Sequence, residues 1–136
     1  MGGWTEADYL RLAEEPGGLI LVAELETMEG SNVLGFAAYR RVIDEAELLN
    51  LAVHPEHQQQ GVGRALLDEG SKRLLRMGAK RILLEVRASN KPAQKLYFSM
   101  GFAIRSLRKD YYRDPQDDAL VLSMELYPPA VVPTLR

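Results

Sequence analysis

The segment from Ala46 to Arg87 constrains the fold more than any other part of the chain. It reads as a strand, a glycine-flanked turn, an amphipathic helix and a second strand. The first strand is predicted over 46–53 and is ended by His54-Pro55. Helical periodicity follows over 61–77, where Val62, Leu66 and Leu74 fall on one face with Leu67 and Leu75 beside them. Gly78 supplies a C-terminal stop, and 80–87 is the second strand. Two strands joined by one crossover helix form a βαβ unit, whose strands run parallel with a right-handed crossover.

The flanking segments add antiparallel strands. Thr5-Glu6-Ala7-Asp8 has the form of a capping box ahead of a short helix over 6–14, and Pro16-Gly17-Gly18 stops that helix. Strands are predicted over 19–26 and 33–43, separated by the turn residues Glu29-Gly30-Ser31-Asn32. With 46–53 they make a three-stranded antiparallel meander. Ser89-Asn90 offers N-cap chemistry to a helix over 91–100, with Pro92 in its first turn and Gly101 at its end. Strands over 102–108 and 119–126 follow, joined by the acidic turn Asp114-Pro115-Gln116-Asp117-Asp118. The expected fold class is α/β (α+β): a mixed, mostly antiparallel central sheet with one parallel βαβ unit and helices on both faces. Residues 1–136 are expected to form a single domain with its core over 46–126 and an irregular tail over 127–136.

Composition excludes several function classes. The chain has 136 residues, enough for one domain that buries roughly two-thirds of its unfolded surface. It has no cysteine, so disulfides, thiolate nucleophiles and thiolate metal sites are ruled out. The net charge of -2 gives no global basic field for nucleic acid. Local basic clusters at Arg40-Arg41, Lys72-Arg73 and Arg105 to Lys109 read as solvated faces, or as help for a phosphate. No transmembrane run or signal peptide is apparent, so no membrane association is expected and the location is read as cytoplasmic. His54 and His57 punctuate a strand end, and no metal site is expected from two such neighbours.

Gly61 and Gly63 open a helix that directly follows a strand. A helix N-terminus presents free N–H groups and the positive end of the helix dipole, and a glycine there lets an anion approach the backbone. Arg64 adds a cation. The spacing does not match a dinucleotide loop, because Leu66 stands where a third glycine belongs. Nor is it a P-loop, because Gly63 is followed by Arg64-Ala65. From the glycines alone, a phosphate cradle and a simple flexible turn are both open readings.

Gln58-x-x-Gly61-x-Gly63 resembles the Q/R-x-x-G-x-G/A signature of the GCN5-related N-acetyltransferase superfamily. Leu51-Ala52-Val53-His54-Pro55 resembles the family strand before the signature. Leu84-Glu85-Val86-Arg87-Ala88-Ser89-Asn90 and Leu96-Tyr97-x-x-x-Gly101-Phe102 resemble the next strand and helix. Within the superfamily, the LEVRASN, LYxxxGF and Asp110-Tyr111-Tyr112 segments are most similar to bacterial ribosomal-protein-alanine N-acetyltransferases. The resemblance covers about 46–126. It implies the acyl-CoA N-acyltransferase fold, with the N-terminal strand and helix of that fold shortened or missing here.

At matching positions the resemblance implies the following roles. Backbone groups of Leu51, Ala52 and Val53 meet the pantetheine arm and acetyl carbonyl of acetyl-CoA. Gln59, Gln60, Gly61, Val62, Gly63 and Arg64 cradle its pyrophosphate. Asn90 bonds the cofactor near its arm, beside its reading as a helix cap. Glu85 stands in an otherwise apolar strand, where alternation sets it opposite Ile82, Leu84 and Val86. Its residue-level alternatives are an ion pair, for instance with Arg87, or an exposed strand face. The resemblance makes it the general base. It makes Tyr97, otherwise an aromatic core residue, the general acid, and sets Tyr39, Tyr111 and Tyr112 as further candidates for the acceptor cleft. The implied activity is acetyl transfer from acetyl-CoA to a primary amine, the N-terminal α-amine of a protein such as a ribosomal protein. A small amine acceptor and a non-catalytic CoA-binding module are the alternatives. A homodimer formed through an open sheet edge is a further expectation.

Overall fold

The computed structural model describes residues 4–128. Its elements run α1 (Glu6–Glu14), β1 (Gly18–Thr27), β2 (Gly30–Val42), β3 (Glu45–Val53), a short 3-10 turn (Pro55–His57), α2 (Val62–Arg76), β4 (Arg81–Arg87), α3 (Lys91–Met100), β5 (Ala103–Tyr112) and β6 (Asp117–Glu125). The expected capping box is present. The Thr5 hydroxyl accepts from the Asp8 backbone N–H, and Asp8 accepts from the Thr5 N–H at 2.7 Å. Those bonds hold the Asp8 carboxyl below its usual pKa.

The strands form one six-stranded sheet in the order β1-β2-β3-β4-β6-β5. β1, β2 and β3 are the antiparallel meander, and β4 joins it parallel to β3. β6 then lies antiparallel to β4, with β5 outside it. β5 runs to Tyr112, beyond the expected end at 108. Pairing resumes at Tyr112↔Asp117 after an irregularity, and Arg87 stacks on the Tyr112 ring at 4.2 Å. The part of the expected tail over 129–136 lies outside the described residues.

Alternation along the strands separates the two faces. Ala37, Tyr39, Leu48, Ile82, Leu84 and Leu122 are buried on one face, together with Leu66, Leu67 and Leu74 of α2 and Tyr97 of α3. The Tyr39 hydroxyl donates to the Leu66 carbonyl at 3.2 Å, and Gly70 makes room for its ring, since a Cβ there would lie 2.3 Å from the hydroxyl. The opposite face carries α1 over the meander. There Tyr9 packs edge-on against Phe36 and its hydroxyl accepts from Asn50 at 2.8 Å. Each face of the sheet thus has its own helix layer, as the sequence predicts.

Candidate active site

β3 and β4 are neighbours for only part of their length. Their parallel pairing covers Glu45↔Arg81, Ala46↔Ile82 and Glu47↔Leu83, and then stops. Beyond it, β3 remains paired to β2 as far as Gly35↔Val53, while β4 remains paired to β6 as far as Arg87↔Ala119. The sheet therefore forks. The register between β2 and β3 shifts at the same level: Tyr39 opposes Leu48 and Ala38 opposes Asn50, leaving Leu49 as the extra residue. A bulge of this kind bends its strand away from a neighbour. Along the fork, the β3 backbone over Leu51, Ala52 and Val53 has a partner strand only on its β2 side, so its other side is available for an extended ligand to pair with.

The mouth of α2 lies at the end of the same strand. Gly61 is the N-cap, in the left-handed region at φ 85°, and has no side chain with which to cap the helix. Glycine adopts that backbone without strain. Gln59 is also left-handed, at φ 63°. The resulting turn brings the backbone N–H groups after Gln58 to a helix N-terminus whose orphan donors have no side-chain cap. Gly63 faces the fork, where a Cβ would come within 3.2 Å of Leu96 and 3.8 Å of Val53. A bare backbone beside the fork and uncapped donors at its mouth fit a diphosphate continuing into a narrow arm. The Arg64 guanidinium donates to Ser99 at 2.7 Å and so ties α2 to α3, while its backbone N–H belongs to the first turn of α2. Asn90 caps α3, accepting from Ala93 N–H at 3.2 Å.

Glu85 and Tyr97 stand on opposite faces of the sheet. Ile82, Leu84 and Val86 point into the core with Tyr97, and Glu85 points the other way, toward solvent. Its ion-pair partner is Arg108 on β5, with Nη1 at 3.7 Å from Oε1, and not the neighbouring Arg87. Arg87 instead stacks on Tyr112 and donates to the Pro115 carbonyl at 3.0 Å. The Tyr112 phenol is held above its usual pKa by burial and by the Glu85 charge, against a smaller opposing effect of Arg87. Tyr97 is almost wholly enclosed, and burial alone raises its pKa, so the phenol keeps its proton at neutral pH.

One expectation needs correction. Tyr39 does not line an open cleft: it is fully buried on the α2 face, where its hydroxyl is engaged by Leu66. Alternation along β2 puts it on the same inward face as Ala37. His54 and His57 are joined by Glu56 in a group whose possible ligand atoms lie within 4.8 Å of one another. Their inner nitrogens already have partners, however: His54 Nδ1 accepts from Glu56 N–H at 3.2 Å, and His57 Nδ1 meets Gln60 Oε1 at 3.2 Å. Glu47, at the apex of the fork, was missed by the sequence reading. Only the strand register reveals its place beside Glu85.

Among the described residues, no helix is long and apolar enough to cross a membrane. The family model for the acetyltransferase (GNAT) family matches residues 2–102. The chain is 40% identical over 125 residues to the [ribosomal protein bS18]-alanine N-acetyltransferase of Escherichia coli strain K12, covering 90% of this chain and 81% of that protein. The fold superposes on the crystal structure of the ribosomal-protein-S18-alanine N-acetyltransferase from Escherichia coli with a TM-score of 0.77, at 33% identity, covering 97% of this chain and 83% of that one. A GNAT family acetyltransferase from Elizabethkingia anophelis, crystallised with acetyl-CoA bound, shares the fold at a TM-score of 0.74 and 23% identity, over 88% of this chain and 80% of that one. A forked sheet, an uncapped helix mouth and matches over most of the chain lead to one conclusion: the chain belongs to the acetyltransferase (GNAT) family.

Proposed function

We propose that the protein transfers the acetyl group of acetyl-CoA to the N-terminal α-amine of a protein such as a ribosomal protein, by direct attack and without a covalent enzyme intermediate. The observation that carries this reading is the fork between β3 and β4, with the mouth of α2 at its open end and a carboxylate and a buried phenol on its two faces. The names of the Escherichia coli relatives support a protein amine over a small amine as acceptor.

Acetyl-CoA, when bound, supplies an activated thioester. The N–H groups at the start of α2 hold its diphosphate, with Gln59, Gln60, Gly61, Val62, Gly63 and Arg64 contributing backbone. The free side of Leu51, Ala52 and Val53 pairs with the arm, and Asn90 borders it. A protein α-amine has a reference pKa of about 7.7–8.0, so most of it arrives protonated at neutral pH. Glu85 removes that proton, directly or through a water. A backbone N–H near Val53 stabilises the negative charge that develops on the carbonyl oxygen. Tyr97 donates a proton to the departing thiolate from the opposite face. Glu85 on one face and Tyr97 on the other support attack from one side and departure toward the other. Dependence on acetyl-CoA supports action in the cytoplasm.

The test is thiol release from acetyl-CoA against a panel of N-terminal peptides and small amines. Turnover with alanine-initiated peptides is the expected result. Turnover confined to small amines moves the acceptor assignment. Thermal stabilisation by CoA without thiol release for any amine reduces the protein to a CoA-binding module.

A further inference from the structure

Glu47 is the last residue of β3 paired to β4, opposite Leu83, so its side chain emerges at the apex of the fork. Glu85 lies two residues beyond Leu83 on β4 and on the same face. The two carboxylates therefore flank the point where the strands part, on the face where an acceptor would arrive. Arg40 of β2 is the cross-strand neighbour of Glu47 and the obvious ion partner. Its guanidinium is taken elsewhere, with Nε 3.1 Å from Glu15 Oε2 and the group lying over Trp4 at 5.8 Å. Among the described residues, Glu47 has no ion-pair partner within 4 Å. Among the same residues, Glu85 is paired only with the half-exposed Arg108 at 3.7 Å.

We infer that Glu47 is a specificity-determining residue that receives the cationic, ammonium form of the acceptor amine and holds it beside Glu85. This rests on the acetyltransferase reading above and deepens it: the acceptor class is an amine that arrives charged. Glu47 is exposed, and with Arg40 engaged by Glu15 and Glu85 on the same face it leaves unbalanced negative charge at the apex, which attracts a cation. The groups facing Glu47 are Arg40 from β2 and Glu85 from β4, with Arg108 and Tyr112 of β5 reaching the same face through Glu85. Glu15 of the α1 end is drawn in through Arg40. Desolvation first, and the Glu85 charge second, raise the Glu47 pKa above the usual carboxylate range, while Arg40 opposes them. The sign follows: as pH falls, Glu47 takes up its proton before an ordinary glutamate would, and the receptor loses its charge.

The experiment is steady-state kinetics of Glu47→Gln, Glu47→Asp and Glu85→Gln with an alanine-initiated hexapeptide and acetyl-CoA across roughly pH 5 to 8, where most domains are most stable. Glu47→Gln is expected to raise the peptide KM about five- to tenfold, with kcat changed far less and the KM for acetyl-CoA unmoved. The parent's peptide KM should rise toward acid pH, and this rise should be absent in Glu47→Gln. Glu47→Asp, which keeps the charge, should restore most of the affinity. An unchanged peptide KM in Glu47→Gln, alongside a Glu85→Gln enzyme that has lost turnover, overturns the inference alone. Parent-like turnover by Glu85→Gln overturns the general-base assignment and this inference with it. Equal KM losses for peptide and acetyl-CoA also overturn it, since they mark a general distortion of the fork.

Discussion

At the scale of single residues, the two faces of the sheet make two different chemical environments from ordinary side chains. Glu85 is set outward by the same alternation that buries Leu84 and Val86, where it is exposed and pairs with Arg108. A group with that exposure can exchange its proton with solvent between turnovers. Glu85→Gln should lower kcat by about 100- to 10,000-fold at neutral pH. The deficit should shrink as pH rises and more of the acceptor amine is already deprotonated, which a kcat profile against pH will measure. Tyr97 has the complementary character, a proton held by burial. Tyr97→Phe is therefore expected to slow turnover while leaving the dissociation constant for CoA within about twofold. Calorimetry separates binding from turnover, and a large loss of CoA affinity would make Tyr97 a packing residue of the arm site instead.

At the scale of elements, β3, the turn after it and α2 act as one ligand-binding piece. The bulge at Leu49 turns β3 away from β4, and Gly61 then turns the chain into α2 with its first N–H groups uncapped. The two helix starts in this region use opposite solutions. α3 is capped by the Asn90 side chain, whereas α2 begins on a bare glycine. Gly61→Ala places a Cβ at φ 85°, with open space around it, so its cost is backbone strain of about 1 kcal/mol and not a clash. It should reduce CoA affinity by disturbing the turn, with a modest loss of melting temperature. Asn90→Ala removes the α3 cap and should cost about 1 kcal/mol of stability by denaturant titration. A parallel loss of CoA affinity in Asn90→Ala would assign Asn90 both roles.

At the scale of the whole molecule, the fork divides the sheet into two halves held together by three residue pairs and a shared core. β1 to β3 lie on one side, and β4, β6 and β5 on the other. The core spans the division: Tyr39 and Leu48 come from one half, Leu84 and Leu122 from the other, and α2 and α3 pack across them. A ligand whose arm occupies the fork would contact both halves. Acetyl-CoA at 100 times its dissociation constant should then stabilise the fold by about 2.7 kcal/mol, visible as a rise of several degrees in melting temperature. No shift at saturating acetyl-CoA would contradict a site placed between the halves.

Most of the architecture could be read from the order of residues. The capping box at Thr5 and Asp8, the glycine stops at Gly78 and Gly101 and the Asn90 cap are local signals, and each lies where its chemistry places it. The period of two in β4 likewise sets Glu85 outward without reference to any other element. The βαβ unit and the glycine-opened helix made the cradle legible as a possibility, because helix termini carry their electrostatics with them. What the sequence could not express was registry between distant strands. The ion pair of Glu85 with Arg108 instead of Arg87 and the place of Glu47 at the apex of the fork both depend on which residue faces which across the sheet. Local propensities leave that pairing undetermined. It is settled by the bulge at Leu49 and by packing against α2 and α3, which together fix how far β4 follows β3 before the strands part.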